Sequence, residues 1–261
     1  MIFSPLYSGS TGNASILTAG KTNILIDGGL AGKALIDALD AVGVEPSSLS
    51  AIVVTHEHID HIKGVGIMSR KFDIPVYANE KTWRAMAPIV GGVAMKNIRT
   101  FVTGQNFYIG DVDLTPFPLS HDAAEPVGYV FFNKGKRIVY MTDTGRVTEA
   151  LREKAAGADL IFLESNHDVD LLLSGPYPER LKRRILSDHG HLSNDAAGEL
   201  LMKLYPTGVR RAILAHLSRE NNTEDIALGS ARAYLNASGV PEKDFFLAVA
   251  HYDRVTGIFE I

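Results

Sequence analysis

The stretch Thr55-His56-Glu57-His58-Ile59-Asp60-His61 decides how the rest of this chain is interpreted. It follows residues 51–54, a short apolar run rich in β-branched side chains that predicts a buried strand. Three histidines and a carboxylate so close together are typical of a metal site, because imidazole and carboxylate bind zinc and similar divalent ions. We expect His56 and His58 to project to one side, with Asp60 and His61 about one helical turn further on and facing a second ion. A solvated polar loop is the alternative interpretation.

Four later apolar runs also end in residues of the metal-binding or catalytic type. They end at His121, at Asp143, at the segment 164–167 and at His216. Strands whose ends meet at one edge of a sandwich would gather these side chains in a single cleft. Near the N-terminus, the glycine-bearing loop 7–13 predicts either an ordinary hairpin turn or a set of backbone N–H groups for an anion.

The hexad His56 to His61 resembles the signature of the metallo-β-lactamase superfamily. Further ligands expected from this resemblance occur in order along the chain, as His121, Asp143 and His216. Three motifs are similar to those of the YycJ (WalJ) group of the superfamily: Glu164-Ser165-Asn166-His167-Asp168, Gly175-Pro176-Tyr177-Pro178 and Gly190-His191-Leu192-Ser193-Asn194. The resemblance covers essentially the whole chain and implies a metal-dependent 5′→3′ exonuclease acting on DNA.

The expected fold class is α/β (α+β), a four-layer αββα sandwich of the metallo-β-lactamase type. Groups of predicted strands with helical patterns between them agree with helices covering two packed sheets. We expect a single domain over residues 1–261, made of two pseudo-equivalent halves that divide near residue 120. No linker, low-complexity tract or internal repeat interrupts the sequence.

The superfamily pattern implies two divalent metal ions. The first would be held by His56, His58 and His121, the second by Asp60, His61 and His216, and Asp143 would bridge the two. A site for a single ion is the alternative. Asp27 resembles the superfamily aspartate that orients a ligand histidine, or it is a turn residue at the end of a strand. Zinc, manganese, iron and nickel all suit these side chains, so the sequence leaves the metal open.

Two such ions would share a water, lower its pKa and hold it as a bridging hydroxide that attacks a phosphodiester. Asp60 is expected to accept a proton from the attacking water. His191 is the predicted proton donor to the leaving oxygen, because the resemblance places its motif beside the metals; a structural role at the start of a helix is the alternative. The predicted substrate contacts are His167, Ser193, Asn194, Lys182 and Arg183.

The net charge of −4 and the isoelectric point near 6.1 are not typical of a general nucleic-acid-binding protein. A polyanion would therefore be held by the metals and by a local patch. Two divalent ions with Asp60 and Asp143 leave the site with about two positive charges, which suits a phosphate. Lys182-Arg183-Arg184 is the compact basic cluster near these motifs, and it forms either a patch that follows a DNA backbone or a solvated helix face.

The sequence has no cysteine, no long apolar segment and no basic leader at its start. These features predict a cytoplasmic protein without a membrane partner and argue against a secreted antibiotic-degrading enzyme. The favoured function is a dinuclear phosphodiesterase that acts as a 5′→3′ exonuclease on DNA. The alternatives are a phosphodiesterase for small or cyclic nucleotide diesters, and a metal-bearing regulatory or binding protein with little turnover. The sequence does not determine the oligomeric state.

Overall fold

The computed structural model describes residues 1–261, and the chain divides into two compact units. The first unit contains Met1–Pro118, Ala123–Gly135 and His251–Ile261, and the second contains Leu119–Asp122 and Lys136–Ala250. The expectation of one domain with halves that divide near residue 120 stays a prediction. None of the helices combines the length and the apolar character that crossing a bilayer requires.

Strands and helices alternate along most of the chain. The strands are β1 (Ile2–Tyr7), β2 (Ala14–Ala19), β3 (Thr22–Ile26), β4 (Ala51–Val53), β5 (Val76–Asn79), β6 (Ile98–Phe101), β7 (Phe107–Ile109), β8 (Val112–Pro118), β9 (Val127–Asn133), β10 (Lys136–Met141), β11 (Leu160–Glu164), β12 (Arg211–Ala215), β13 (Phe246–Val249) and β14 (Phe259–Glu260). The helices are α1 (Gly32–Ala41), α2 (Ile59–Ile62), α3 (Val65–Phe72), α4 (Glu80–Val90), α5 (Glu149–Ala155), α6 (Val169–Ser174), α7 (Glu179–Ile185), α8 (Asn194–Leu204) and α9 (Glu224–Ala237). The predicted α/β class is confirmed.

Seven strands form a sheet within the first unit, in the order β14-β1-β2-β3-β4-β5-β6. The pairs from β14 to β3 are antiparallel, and the pairs from β3 to β6 are parallel. Strands β7, β8 and β9 of the same unit pair in antiparallel fashion. Because β3 and β4 run parallel, with Ile26 opposite Val53, the chain leaves both strands at the same edge. The segments that follow, which carry Asp27 and the hexad, therefore start side by side.

The helices of the first unit each bury one face. In α1 the buried residues Leu35, Ala38 and Leu39 recur at the spacing of one helix face. Asn79 caps α4 by accepting a hydrogen bond from the backbone N–H of Thr82 at 2.9 Å. Leu25 and Ile52, on neighbouring strands, belong to the core into which these helices pack.

Four parallel strands form the sheet of the second unit, in the order β13-β12-β11-β10. All five residues of β11 are buried, which agrees with a continuous apolar run in a parallel sheet covered on both faces. Asp143, Glu164 and His216 lie at the carboxyl ends of β10, β11 and β12. Since carboxyl ends of parallel strands share an edge, these three side chains emerge together.

Helices α8 and α9 pack against each other in the second unit. A Cβ atom at Gly198 would lie 2.6 Å from Cδ2 of Tyr234, so glycine permits this close approach. Ser193 and Thr223 cap the two helices, each accepting a hydrogen bond from a backbone N–H in the first turn. Ser193 also pairs with His167 in an isolated parallel bridge, and His191, two residues earlier, lies beside Glu164 at the end of β11.

Candidate metal centre

The hexad residues of the first unit converge just after β4. The ring centroids of His56 and His58 are 4.6 Å apart, and those of His56 and His61 are 4.1 Å apart. Oδ2 of Asp60 lies 3.6 Å from Nε2 of His61. His56 and His61 are buried, so the alternative of a solvated polar loop is wrong. Histidines packed ring to ring with a carboxylate alongside are typical of a site for a divalent cation.

The buried carboxylate of Asp27 anchors this cluster through contacts with Thr55 and His61. Its carboxylate accepts hydrogen bonds from the backbone N–H and the hydroxyl of Thr55 at 2.8 and 2.9 Å, and it lies 2.8 Å from Nδ1 of His61. Burial raises the pKa of Asp27, against the lowering effect of His61 and Thr55. Because Nδ1 of His61 donates to Asp27, Nε2 carries the lone pair that a metal ion requires. This geometry is the one expected of an aspartate that orients a ligand.

Asn13 also contacts the hexad, and sequence reasoning missed it. Its Nδ2 lies 3.2 Å from Oδ2 of Asp60 and 3.0 Å from Nε2 of His61, and its backbone N–H donates to the carbonyl of Asp60 at 2.7 Å. The backbone N–H of Gly9 donates to Oδ1 of Asn13 at 2.9 Å. The loop therefore holds Asp60 in place. Its glycines were the signal in the sequence, but they did not point to this contact.

Two predicted histidine ligands of the second unit lie near one carboxylate oxygen of a third predicted ligand, Asp143. Oδ1 of Asp143 is 3.4 Å from Nδ1 of His216 and 3.9 Å from Nε2 of His121. Asp143 and His216 both have left-handed backbone conformations, with φ of 62° and 57°, and Asp27 in the first unit has φ of 58°. Non-glycine residues in this region are strained and cluster at functional sites. Each of these three residues lies just after a strand and carries a side chain of a type that binds metals.

Glu164 is the second residue of the site that sequence reasoning did not assign. Its Oε1 lies 2.7 Å from Nδ1 of His191 and 3.2 Å from Nδ1 of His216, and its Oε2 accepts the backbone N–H of Thr144 at 2.8 Å. Burial acts to raise the pKa of Glu164, but the charges and hydrogen bonds of His191 and His216 lower it below its ordinary value. The signal was present in the sequence, because Glu164 ends an apolar run as the ligands do.

Potential ligand atoms of Asp143, Glu164, His191 and His216 all lie within 4.8 Å of one another. His191 is 13% exposed, and its ring stands 5.0 Å from that of His121 and 5.2 Å from that of His216. Since Glu164 holds Nδ1 of His191, the opposite ring nitrogen, Nε2, faces away from the carboxylate. A partly exposed imidazole with a buried anion behind it can hold a proton and release it to a substrate atom.

His121 approaches this cluster from the segment before β9. Its Nδ1 donates to the carbonyl of Gly190 at 3.0 Å, which leaves Nε2 as the nitrogen on the side of Asp143. Burial is the largest effect on the pKa of His121 and lowers it, so the neutral ring that binds metals is favoured.

The predicted substrate contacts differ in their surroundings. His167 is buried, its Nδ1 lies 3.3 Å from Oδ1 of Asn166, and its Nε2 has no hydrogen-bond partner. Ser193 serves as the cap of α8. Asn194 is buried, with its amide bonded to Asn222 and its oxygen to Ser165. Asn194, predicted as a substrate contact, therefore has its side-chain hydrogen bonds taken up by Ser165 and Asn222.

The basic cluster on α7 is divided between the interior and the surface. Lys182 is only 7% exposed, and its ammonium donates to the carbonyl of Leu173 at 2.6 Å. Arg184 forms a two-point ion pair with Asp122 at 2.5 and 2.9 Å. Arg183 is exposed. Of the three cations, Arg183 is thus the one whose position matches a contact with a solvated phosphate backbone.

The chemistry of these donors fits divalent metal ions. Nδ1 of His61 and of His121 donates to a protein oxygen, so Nε2 of each ring carries the metal-binding lone pair. Carboxylates stand beside each set, and the chain offers no thiolate. Imidazole and carboxylate donors together suit zinc and its neighbours in the transition series better than they suit magnesium or calcium.

Comparison with known families agrees with this site chemistry. Residues 22–217 match the family model described as "Beta-lactamase superfamily domain". The chain belongs to this superfamily. It is a metal-dependent hydrolase of the metallo-β-lactamase type, which confirms the resemblance inferred from the hexad.

Two relatives place this superfamily member in the YycJ/WalJ group. It is 41% identical over 237 residues to "Exodeoxyribonuclease YycJ" of Bacillus anthracis, covering 91% of this chain and 90% of that protein. It is 42% identical over 227 residues to "Exodeoxyribonuclease WalJ" of Streptococcus pneumoniae, covering 86% of this chain and 84% of that protein.

A solved structure establishes the fold independently of sequence identity. The metallo-β-lactamase fold protein YhfI of Bacillus subtilis superposes with a TM-score of 0.75 at 16% identity, covering 100% of this chain and 99% of that one. The predicted metallo-β-lactamase type of fold is therefore confirmed.

Proposed function

We propose that this protein is a DNA exonuclease that removes nucleotides from the 5′ end with the help of two divalent metal ions. The observation that carries metal-dependent chemistry is the anchoring of imidazole Nδ1 atoms by buried carboxylates, Asp27 behind His61 and Glu164 behind His191 and His216. DNA as the substrate is supported by the two relatives named exodeoxyribonucleases. The direction of cleavage is supported by the resemblance of the sequence motifs to the YycJ/WalJ group.

Seven side chains are assigned to the two ions by the superfamily pattern. The first ion is assigned to His56, His58 and His121, the second to Asp60, His61 and His216, and Asp143 to both. When bound, such ions polarise a phosphoryl oxygen and lower the pKa of the attacking water. Zinc, manganese, iron and nickel all accept nitrogen and carboxylate ligands and suit these side chains.

Asp60 and His191 are assigned the proton transfers. Asp60 is partly exposed, and Asn13 holds its Oδ2, so its carboxylate is oriented to accept a proton from the attacking water. His191 delivers a proton to the leaving oxygen from Nε2, while Glu164 stabilises the charged ring through Nδ1. Transfer of this proton lets the P–O bond break without releasing an alkoxide.

Arg183 is assigned a contact with the DNA backbone, with His167 and Ser193 nearer the metal-binding strand ends. Exposed arginine forms strong two-point hydrogen bonds with phosphate. Lys182 and Asn194 are omitted from this assignment, since breaking their buried hydrogen bonds would leave unsatisfied polar atoms.

The test is degradation of DNA labelled at its 5′ end by protein reconstituted with zinc or manganese. Release of the label as a mononucleotide in the first cut is expected for the wild type and should be lost in Asp60→Asn. Asp37→Asn is the matched control, because Asp37 is an exposed aspartate on α1 of the same unit. Zinc content of each variant is measured in parallel. A binding protein with little turnover would bind DNA with no difference between the two variants.

A phosphodiesterase for small or cyclic nucleotide diesters is favoured by one observation. Two of the three cations of the basic cluster, Lys182 and Arg184, are bonded within the protein, which leaves Arg183 as the one cation of this cluster for a long polyanion. A chromogenic small diester distinguishes the two functions when offered beside labelled DNA.

For the exonuclease, Arg183→Gln should flatten the dependence of DNA cleavage on salt by about one unit of slope. Lys33→Gln, which removes an exposed cation from α1, should not.

A further inference from the structure

A buried network of asparagine and serine side chains lies near the strand ends of the second unit, and none of its members is among the assigned metal ligands. Its members are Ser165, Asn166, Asn194 and Asn222, and none is more than 6% exposed. Buried amides are expensive to maintain unless every donor has a partner. Such a network therefore indicates that the backbone to which it is hydrogen-bonded is held in a well-defined position.

Asn166 is the member of this network that hydrogen-bonds to the backbone of the predicted ligand His216. Its Nδ2 donates to the carbonyl of His216 at 2.8 Å, and its own carbonyl accepts the backbone N–H of Ser218 at 2.7 Å. The two bonds bracket His216, which sits in the left-handed region with φ of 57°. A non-glycine residue is retained in that conformation when its surroundings hold it there.

The same residue also reaches the segment that carries His191. The backbone N–H of Asn166 donates to the carbonyl of Leu192 at 2.8 Å, one residue after His191. Asn166 thus connects, through three hydrogen bonds, the two chain segments whose imidazoles share the Glu164 carboxylate.

Asn222 supports Asn166 in turn. Its Nδ2 lies 2.9 Å from the carbonyl of Ser165 and 3.1 Å from that of Asn166. Its Oδ1 accepts hydrogen bonds from Nδ2 of Asn194 and from the backbone N–H of Thr223, both at 2.9 Å. The segment after β11 therefore cannot shift without breaking several buried hydrogen bonds.

We propose that Asn166 is a positioning residue that sets the backbone of His216 and the spacing between His216 and His191, with Asn222 as its support. The proposal rests on the proposed function in one respect, that His216 is a metal ligand. Loss of the Asn166 amide leaves the carbonyl of His216 without its donor and releases the strained turn. The imidazole then spends less time in the orientation that binds the metal.

The test compares Asn166→Ala and Asn222→Ala with Asn133→Ala as a matched control. Asn133 is a buried asparagine of the first unit whose Nδ2 donates to the carbonyl of Asp111 at 2.7 Å. Metal-free protein is titrated with zinc in competition with a chromogenic chelator, and thermal unfolding of the metal-free forms is recorded. We expect Asn166→Ala to weaken zinc binding by up to about 10-fold, the lower end of the range for loss of a partner of the ligating ring itself, because Asn166 bonds the backbone of His216. Asn222→Ala should act in the same direction and more weakly, while Asn133→Ala lowers stability alone.

Zinc affinities in both variants equal to that of Asn133→Ala would overturn the proposal. Should Asn166→Ala not fold, Asn222→Ala decides the question by the same comparison. A wild type that binds zinc but leaves DNA intact contradicts the exonuclease, and the zinc affinities still decide the role of Asn166. A wild type that binds no zinc or manganese overturns both proposals.

Discussion

Nδ1 of His61 and Oδ2 of Asp27 lie 2.8 Å apart, and both side chains are completely buried. Asp27 directly follows β3, and His61 lies in the short helix α2 after β4. Because β3 and β4 run parallel, both residues lie at the same edge of the sheet, and the hydrogen bond between them orients the imidazole of His61. A carboxylate behind a ligand histidine selects the tautomer and raises the basicity of the opposite nitrogen.

Asp27→Asn is expected to weaken metal binding about 10–100-fold, because an amide replaces the carboxylate that orients His61. The measurement is zinc competition on metal-free protein, with Asp37→Asn as the control for loss of an exposed carboxylate. Equal affinities for the two variants would contradict the role of Asp27.

Glu164→Gln should lower kcat by about 10²–10⁴ with a smaller change in KM, the range that loss of general acid–base catalysis produces. The physical reason is that Gln cannot stabilise the charged ring of His191 as the buried carboxylate does. Steady-state rates on labelled DNA provide the measurement.

Glu199→Gln is the control for Glu164→Gln, since Glu199 pairs with Lys203 on the surface of α8 and should leave the rate unchanged. A rate for Glu164→Gln that matches the control would remove His191 and Glu164 from the proposed proton transfer.

Gly29→Ala should disrupt the first unit, because a Cβ atom there would lie 1.6 Å from the carbonyl oxygen of Asp60. Displacing Asp60 would lower both stability and metal content. Gly229→Ala is the matched control: apart from its own helix backbone and chain neighbours, nothing lies within 4 Å of its added Cβ, and alanine in helix α9 should stabilise by about 0.5–1 kcal/mol. Thermal unfolding and zinc content are measured for both, and a well-folded, zinc-loaded Gly29→Ala protein would contradict the packing argument.

His167 should make the metal-free protein less stable in mild acid. Burial, with a smaller contribution from His191, lowers the pKa of His167 from 6.5 to about 4, against the opposing effects of Glu164 and Asp168. Between these pH values the unfolded chain binds the additional proton, so the free energy of unfolding falls as the pH falls from 6.5 toward 4. The loss attributable to His167 should reach roughly 2–3 kcal/mol at the lower end.

Urea unfolding of the wild type and of His167→Gln across this pH range measures that contribution as the difference in slope. Asn133→Ala, which removes a buried side chain without a titrating group, should shift the curve by the same amount at every pH. Parallel curves for the wild type and His167→Gln would show that His167 does not titrate as inferred.

Much of the first unit's site could be predicted because its residues are close in sequence. The hexad follows an apolar run, and the pattern of histidines and a carboxylate is itself a metal-site pattern, whatever the rest of the chain does. Asp27 was found by resemblance, since an aspartate at a strand end is equally well a turn residue. The structure places it against His61 because β3 and β4 pair in parallel.

The sequence by itself determined the α/β class, the family and the strand-end positions of the histidines and carboxylates. Hydrophobic periodicity and short motifs are local properties of the chain, so they can be recognised without the tertiary structure. Only the tertiary structure decided the roles of Asn13, Glu164, Asn166 and Lys182. Asn13, Glu164 and Asn166 owe their roles to burial and to hydrogen-bonding partners far away in sequence, such as Asp60 for Asn13 and His216 for Asn166. Lys182 owes its role to burial and to the carbonyl of Leu173. A sequence does not show whether an amide or ammonium group faces solvent or a buried carbonyl. In the folded protein, the free energy cost of leaving a buried carbonyl unpaired keeps the group at its partner.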